Sequence, residues 1–277
     1  MSASLVGSEM CIRDRNYIII KQKRITECLI MIYREKYKVE LEDIGMHNRI
    51  SNKRIITIME DVAAAHSDSV GYGVKEVGQT NCAWVLLDWK IKVVNRPEYN
   101  THIEAFTWSR KSDKLCAYRD FELRDNNGNV CALGTSRWLY MNLIRRRPVV
   151  LNQQMNEIYD TEEGKMVFDE EICKIDTEID AGSNDNIKEI IEKTYKVERR
   201  DMDINGHMHN VSYIEAAYEV IPEDIYKNHE YSDIRVEYKK EIMENQEIKI
   251  RCIVFKNNGC LITMESENKL HAVIKLS

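Results

Sequence analysis

The chemistry-bearing residues crowd into one stretch, Arg199-Arg200-Asp201-Met202-Asp203-Ile204-Asn205-Gly206-His207-Met208-His209-Asn210. It lies between a strand pattern and the start of a helix, where free backbone N–H groups and the helix dipole favour negative charge. An ester or thioester hydrolase needs such donors for its developing oxyanion. Asp203, Asn205 and His207 alternate, so an extended loop would aim all three to one side, and Gly206 gives the backbone freedom to approach a substrate. The bland alternative is that Asp and Asn cap the helix and the histidines sit on the surface. His207 and His209 could also be taken as a metal pair, but no third ligand stands at a recognised spacing, so no metal is expected. A cysteine nucleophile is equally unsupported: the eight cysteines form no CxxC pair and fall in strand, connector or N-terminal contexts.

The elements that position this loop occur twice. Residues 33–41 alternate like a strand, Ser51 and Asn52 offer a helix cap, and Ile55, Ile56, Met59, Val62, Ala63 and His66 form an apolar stripe that ends at Gly71 and Gly73. Strands are predicted at 82–94, 101–109, 113–125 and 129–142, with a turn at Asp125-Asn126-Asn127-Gly128. After a connector the order repeats: a strand at 195–200, the polar loop, a helix at 210–220 closed by Pro222, and strands at 233–241, 246–256, 260–267 and 269–276. Met46-His47-Asn48 with Ser51 echoes Met208-His209-Asn210 with Ser212. Together these suggest an internal duplication.

Composition narrows the class. The 277 residues carry a formal net charge of −6, with 43% hydrophobic and 31% charged residues, which excludes disorder, collagen or coiled coil for the whole chain. No apolar run approaches the ~20 residues of a membrane span. No basic stripe with interleaved aromatics supports nucleic-acid binding. Residues 157–192 hold 13 acidic residues against 3 Lys, a net of −10, leaving the rest of the chain at +4. The two bodies are thus mildly basic, joined by an acidic connector, and suited to an acidic partner. Reduced thiols and the lack of a secretory signal pattern point to the cytoplasm. Residues 1–15, MSASLVGSEMCIRDR, resemble translated sequencing-adapter DNA, and the authentic start is expected near Met31.

From about Tyr33 onward the chain resembles the acyl-acyl carrier protein thioesterases in a bacterial form. The likeness runs through Thr107-Trp108, Arg137-Trp138 and Arg145-Arg146-Arg147-Pro148. It continues through Asp201-Met202-Asp203-Ile204-Asn205-Gly206-His207 with Asn210 and Tyr213, and through Tyr238-Lys239-Lys240-Glu241. The resemblance implies an α+β fold, a tandem double hotdog in which each half is a long helix wrapped by an antiparallel β-sheet. It divides the chain into an artefactual or disordered segment (1–30), an N-terminal hotdog with the acyl pocket (31–147), an acidic connector (148–194) and a C-terminal hotdog with the catalytic residues (195–277).

It also implies hydrolysis of acyl-acyl carrier protein to free fatty acid, ending fatty acid synthesis, with no cofactor and with Asp203, Asn205, His207 and Glu241 as the catalytic set. Plant members commonly carry a cysteine directly after that glutamate, where this chain has Ile242. Glu241 is expected either as general base, once burial raises its pKa, or to attack the thioester directly. His207 would orient the water, Asn205 and a helix-start N–H would hold the oxyanion, and Asp203 would fix the loop. The departing thiol, with a pKa of about 8.5, needs little acid help. Helix 52–70 and strand 82–94 would line the acyl tunnel. The first-half loop lacks the motif, so one site per chain is expected. The partner would be acyl carrier protein bearing a phosphopantetheine-linked acyl chain, docked by Arg145–Arg147, Arg199, Arg200, Lys239 and Lys240. A monomer or a homodimer would suffice. The rivals are a hotdog hydrolase of acyl-CoA, a non-catalytic acyl-thioester binder, and a dehydratase using Asp61 and His66.

Overall fold

The computed structural model describes residues 32–110, 112–160, 164–179 and 185–277; the expected N-terminal segment 1–30 lies outside them. The first half runs β1 (Tyr33–Lys38), helix α1 (Asn52–Ser69), the short α2 (Val77–Thr80), β2 (Cys82–Val93), β3 (His102–Arg110), β4 (Cys116–Asp125) and β5 (Val130–Asn142). A two-residue β6 (Arg147–Pro148) and α3 (Gln153–Tyr159) follow. The second half runs β7 (Ile187–Lys196), α4 (Asn210–Tyr218), α5 (Glu223–Asn228), β8 (Asp233–Tyr238), β9 (Glu247–Phe255), β10 (Cys260–Ser266) and β11 (Lys269–Leu276).

One antiparallel sheet joins the halves in the order β1-β3-β4-β5-β2-β8-β11-β10-β9-β7. Read inward from either edge, the order of each half is the same: first strand, third, fourth, fifth, second. The duplication is therefore one of topology as well as of pattern. The halves meet where β2 pairs β8, with Trp89 opposite Val236 and Ile91 opposite Ile234, all buried. α1 begins at Ser51, whose side chain accepts from Arg54 N at 3.2 Å, and lays Ile55, Ile56, Met59, Val62 and Ala63 into the core. Its packing against β5 is close, since a Cβ at Gly134 would fall 2.7 Å from Met59 Sδ.

Three expectations are corrected. The strand of the second half begins at Ile187, not 195. Being an edge strand, it turns Lys188, Glu189, Glu192 and Lys193 to solvent, so its polar alternation reads as a charged connector. The second helix spans 9 residues against 18 for α1, because Pro222 stops it and caps α5. The connector is not simply solvated: Ile175 is buried, its N–H donates to Glu237, and Trp108 Nε1 donates to Lys165 O at 3.0 Å.

The chain leaves α1 through Gly71 (φ +80°) and Gly73. At Gly73 a Cβ would sit 1.9 Å from Asp68 Oδ1 and 2.5 Å from the Asp68 backbone N. Side-chain rotation cannot relieve the backbone contact. Gly73→Ala is expected to cost about 1–3 kcal/mol, read as a lowered thermal midpoint.

Candidate active site

The polar loop is built around two carboxylates. Asp201 is buried and accepts from Glu198 N at 2.8 Å and Tyr195 OH at 2.9 Å, closing a single 3-10 turn (Arg199–Asp201). Asp203 then organises the next turn. Its Oδ1 accepts from the backbone N–H groups of Asn205 (2.8 Å) and His207 (3.0 Å), and its Oδ2 accepts from Asn205 Nδ2 (3.2 Å). Asp203 N donates to His207 O at 2.8 Å, and Gly206 takes φ +77° to complete the reversal. The three predicted residues therefore share a tight turn rather than an extended loop. The reason is local: the Asp203 carboxylate satisfies the turn's own N–H groups.

Glu241 arrives by backbone pairing. Met208 N donates to Ile242 O at 2.8 Å and His207 bridges Met243. The Glu241 carboxylate does not touch the turn. It pairs with Arg146 of the first half, and its side chain is 41% exposed. The burial expected to make it a base is absent, because the segment after β8 runs along the surface beside Arg146. Its backbone is held by His271, whose Nδ1 lies 3.2 Å from both Lys240 O and Glu241 O while Nε2 meets Ser266 Oγ at 2.7 Å. Two carbonyls around Nδ1 place the hydrogen there. His271 follows from no motif in the sequence. The helix-start donors are also taken: Val211 N donates to His209 Nδ1 (3.4 Å) and Ser212 N to His209 O (2.8 Å).

The first half carries the same turn without its chemistry. Gly45 N donates to Arg49 O at 2.9 Å, Asn48 takes φ 57°, and Ile50 N donates to Pro97 O at 2.9 Å. Matched bond for bond, Gly45, His47 and Arg49 stand where Asp203, Asn205 and His207 stand, and Arg96 falls at the place of Glu241. This register replaces the echo read from Met46-His47-Asn48. The carboxylate, amide, imidazole and glutamate of the second half are all gone from these positions.

A cavity of about 250 Å³ opens against the turn. Its walls come from α1 (Glu60, Ala63, Ala64, Ser67), β2 (Ala83, Trp84), β4 (Ala117, Tyr118, Arg119), Trp138 of β5 and the connector (Leu151, Met155, Tyr159), and Ile204 and Asn205 close it. Helix 52–70 and strand 82–94, the elements expected to line an acyl tunnel, both contribute to these walls. The connector residues were not anticipated; Met155 and Tyr159 come from α3, too short to show periodicity, and Leu151 just precedes it. Of the four predicted site residues, only Asn205 faces the cavity.

Behind the wall lies a buried cluster. Arg119 Nη1 meets His66 Nδ1 at 2.8 Å and donates to Thr107 Oγ1 at 3.2 Å, and His66 stacks on Tyr33. Burial, then the nearby Arg119 charge, pushes the His66 pKa down to about 3. The unfolded chain takes up this proton near 6.5 and the folded chain only near 3. His66 thus contributes stability that is full above about pH 6.5 and lost as pH falls toward 3. The expected result is a smaller loss of thermal midpoint between pH 7 and pH 5 in His66→Gln than in the unsubstituted chain. Asp61 points away from His66, is 52% exposed and lies 3.8 Å from Arg54, so the dehydratase pair is not assembled. Among the described residues no three His, Cys, Asp or Glu gather as metal ligands.

Comparison with known proteins bears on this geometry. Residues 31–159 match the acyl-ACP thioesterase N-terminal domain and residues 184–275 its C-terminal domain. The chain belongs to the acyl-ACP thioesterase family. Oleoyl-acyl carrier protein thioesterase 1 of Arabidopsis thaliana is 26% identical over 227 residues, covering 77% of this chain and 61% of that protein. Dodecanoyl-[acyl-carrier-protein] hydrolase of Umbellularia californica is 24% identical, covering 76% and 56%. The chain thus spans about three fifths of the length of these plant relatives. Two solved structures share the fold. The 12:0-ACP thioesterase of Umbellularia californica superposes at TM-score 0.76 with 20% identity, covering 89% of this chain and 96% of that one. An acyl-ACP thioesterase of Bacteroides thetaiotaomicron superposes at 0.74 with 20% identity, covering 88% and 96%. The α+β fold, with α1 in one half of the sheet and α4 in the other, is accordingly a double hotdog.

Proposed function

We propose that this chain hydrolyses acyl-acyl carrier protein thioesters, releasing fatty acid and carrier protein and so ending fatty acid synthesis. The observation that carries this reading is the apolar cavity of the first half closing on Asn205 of the Asp203–His207 turn. An acyl chain in that cavity would place its thioester at the turn. Asn205 keeps one amide hydrogen beyond its bond to Asp203 and would hold the carbonyl. His207, whose backbone pairs with Met243 two residues past Glu241, would hold the water together with Glu241, and Glu241 would accept its proton. Asp203 fixes the turn. No step calls for a cofactor, and one chain supplies both cavity and turn, so a monomer suffices and a homodimer is compatible.

The partner's phosphopantetheine arm would enter past a basic rim. Arg145, Arg146, Arg147, Arg199, Arg200, Lys239 and Lys240 are all exposed. Several are already paired: Arg146 with Glu241, Arg199 with Glu244, Arg200 with Glu198 and Lys239 with Glu237. For Arg145, Arg147 and Lys240 no carboxylate stands within ion-pair distance among the described residues, so these are the best placed to meet an acidic carrier. Among the described residues no helix is long and apolar enough to cross a membrane, and the six described cysteines are unpaired, in keeping with the reducing cytoplasm.

The test is thiol release from matched acyl-carrier-protein and acyl-CoA thioesters at rising salt. The carrier substrate should have the higher kcat/KM, and that advantage should shrink with salt. Arg145→Glu with Arg147→Glu should lower kcat/KM for the carrier substrate about tenfold with little change for CoA. A salt-independent preference for CoA would move the substrate to acyl-CoA, and binding without turnover would leave a thioester-binding protein.

A further inference from the structure

Glu60 is the one acid among the described residues lining the cavity, and it was not singled out by the sequence, where it reads as one more polar position on α1. It lines the cavity together with Asn205, and its side chain is only 14% exposed. Oε1 is buried without a hydrogen-bond partner, as is the indole Nε1 of Trp89. Oε2 lies 3.7 Å from His209 Nε2. The groups around this carboxyl are donors. Trp89 can only donate. His209 accepts from Val211 N at Nδ1, so its neutral ring carries the hydrogen on Nε2 and also donates. Asn210 approaches as a further donor. Asp61 on α1 and Tyr238 on β8 are the other titratable groups that act on it, and neither supplies a positive charge.

A carboxyl buried beside an apolar cavity with no cation is held in its neutral form. Burial pushes Glu60 up to about 8, Asp61 adds to the rise, and Asn210 and Trp89 hold back part of it. The neutral acid has one oxygen that accepts and one O–H that donates. Only donors stand near the first, and among the described residues no acceptor stands ready for the O–H. A buried donor without an acceptor calls for one supplied from outside.

We propose that Glu60 is a further catalytic residue, a neutral carboxylic acid whose O–H donates a hydrogen bond from α1 to the substrate's thioester carbonyl oxygen. This rests on the thioester hydrolysis proposed above and adds a donor that its four residues do not provide. The bond strengthens as negative charge grows on that oxygen, so it favours the tetrahedral state over the ground state. No proton need leave Glu60. The water's proton passes to Glu241, the C–S bond breaks with its electron pair on sulfur, and the thiolate takes a proton from solvent or from Glu241. Glu60 and Glu241 thus divide the work of two carboxyls according to surroundings, one kept neutral as donor and one exposed as acceptor.

Glutamine keeps a donor at this position and never ionises; leucine keeps only the bulk. Thiol release from acyl-carrier-protein thioesters should be followed from pH 6 to 10 for the unsubstituted chain, Glu60→Gln and Glu60→Leu, with melting curves to confirm folding. The expected result is a fall in kcat of about 10²–10³-fold in Glu60→Leu, with KM little changed. Glu60→Gln should stay within about tenfold of the parent. Activity of the parent should decline as pH rises through about 8, and Glu60→Gln should lack that decline. A Glu60→Gln variant as inactive as Glu60→Leu would overturn the donor role in favour of proton acceptance, and an unaffected Glu60→Leu would reduce Glu60 to wall. If the unsubstituted chain turns over no thioester, the hydrolase reading falls and the donor role falls with it.

Discussion

Asp203→Ala should lower kcat about 10²–10³-fold while leaving the melting temperature close to that of the parent. Three N–H groups converge on this carboxylate, from the Asn205 backbone, the Asn205 side chain and the His207 backbone. Alanine leaves them to water, and the turn loses what fixes Asn205 against the cavity. A displacement of about 1 Å at a reacting group costs about 10²-fold, and both Asn205 and His207 are displaced together. The fold should tolerate the change because Asp203 lies outside the hydrophobic core and Asp201, the buried neighbour, keeps its own bonds. Asp203→Asn retains one acceptor and should fall between. Single-turnover thiol release beside a circular dichroism melt checks both parts. A large loss of melting temperature would mean that Asp203 serves the fold rather than the site.

If the chain hydrolyses acyl thioesters as proposed, Ala117→Phe should shift it toward short acyl chains. Ala117 on β4 is one of four alanines, with Ala63, Ala64 and Ala83, whose small side chains leave the cavity open between α1 and the sheet. A phenyl ring there would fill part of the room a long chain needs. Each buried methylene is worth about 0.8 kcal/mol. Excluding about four of them costs about 3 kcal/mol, or about 200-fold in kcat/KM for chains that once reached the end. Chains too short to reach it should keep their rates. Competition between short and long acyl thioesters reads the ratio directly, and an equal loss at every length would show that the cavity does not hold the chain.

Much of this was legible in the sequence because the core follows simple periods. The stripe Ile55, Ile56, Met59, Val62, Ala63 and His66 lies on the buried face of α1. The turn at Asp125–Gly128 closes as its residues require, with Gly128 at φ +81° and Asp125 Oδ1 accepting from Asn127 N and Asn129 N at 2.9 Å. The Asp203–His207 turn was visible as a motif, but its shape was not. Alternation suggested an extended strand, and only the bonds to Asp203 fold it back. Edge strand β7 was hidden because an exposed edge carries the charges of a linker. The cavity's connector wall and Glu60 were hidden for a related reason: a single polar residue on an otherwise amphipathic helix gives no periodic signal, and its meaning depends on Trp89 and His209, brought beside it by the β2–β8 join. Matching the two halves also failed by motif, since Gly45, Arg49 and Arg96 keep the backbone of the second half's site and none of its side chains.

The most direct test of the account is thiol release from acyl-carrier-protein thioesters by the unsubstituted chain, His207→Ala and Glu241→Ala, all shown to be folded. The parent should turn over, and each variant should lose at least about 10²-fold in kcat while still binding the acylated carrier protein. Full activity in folded Glu241→Ala and His207→Ala would contradict it, placing the reaction elsewhere on the molecule.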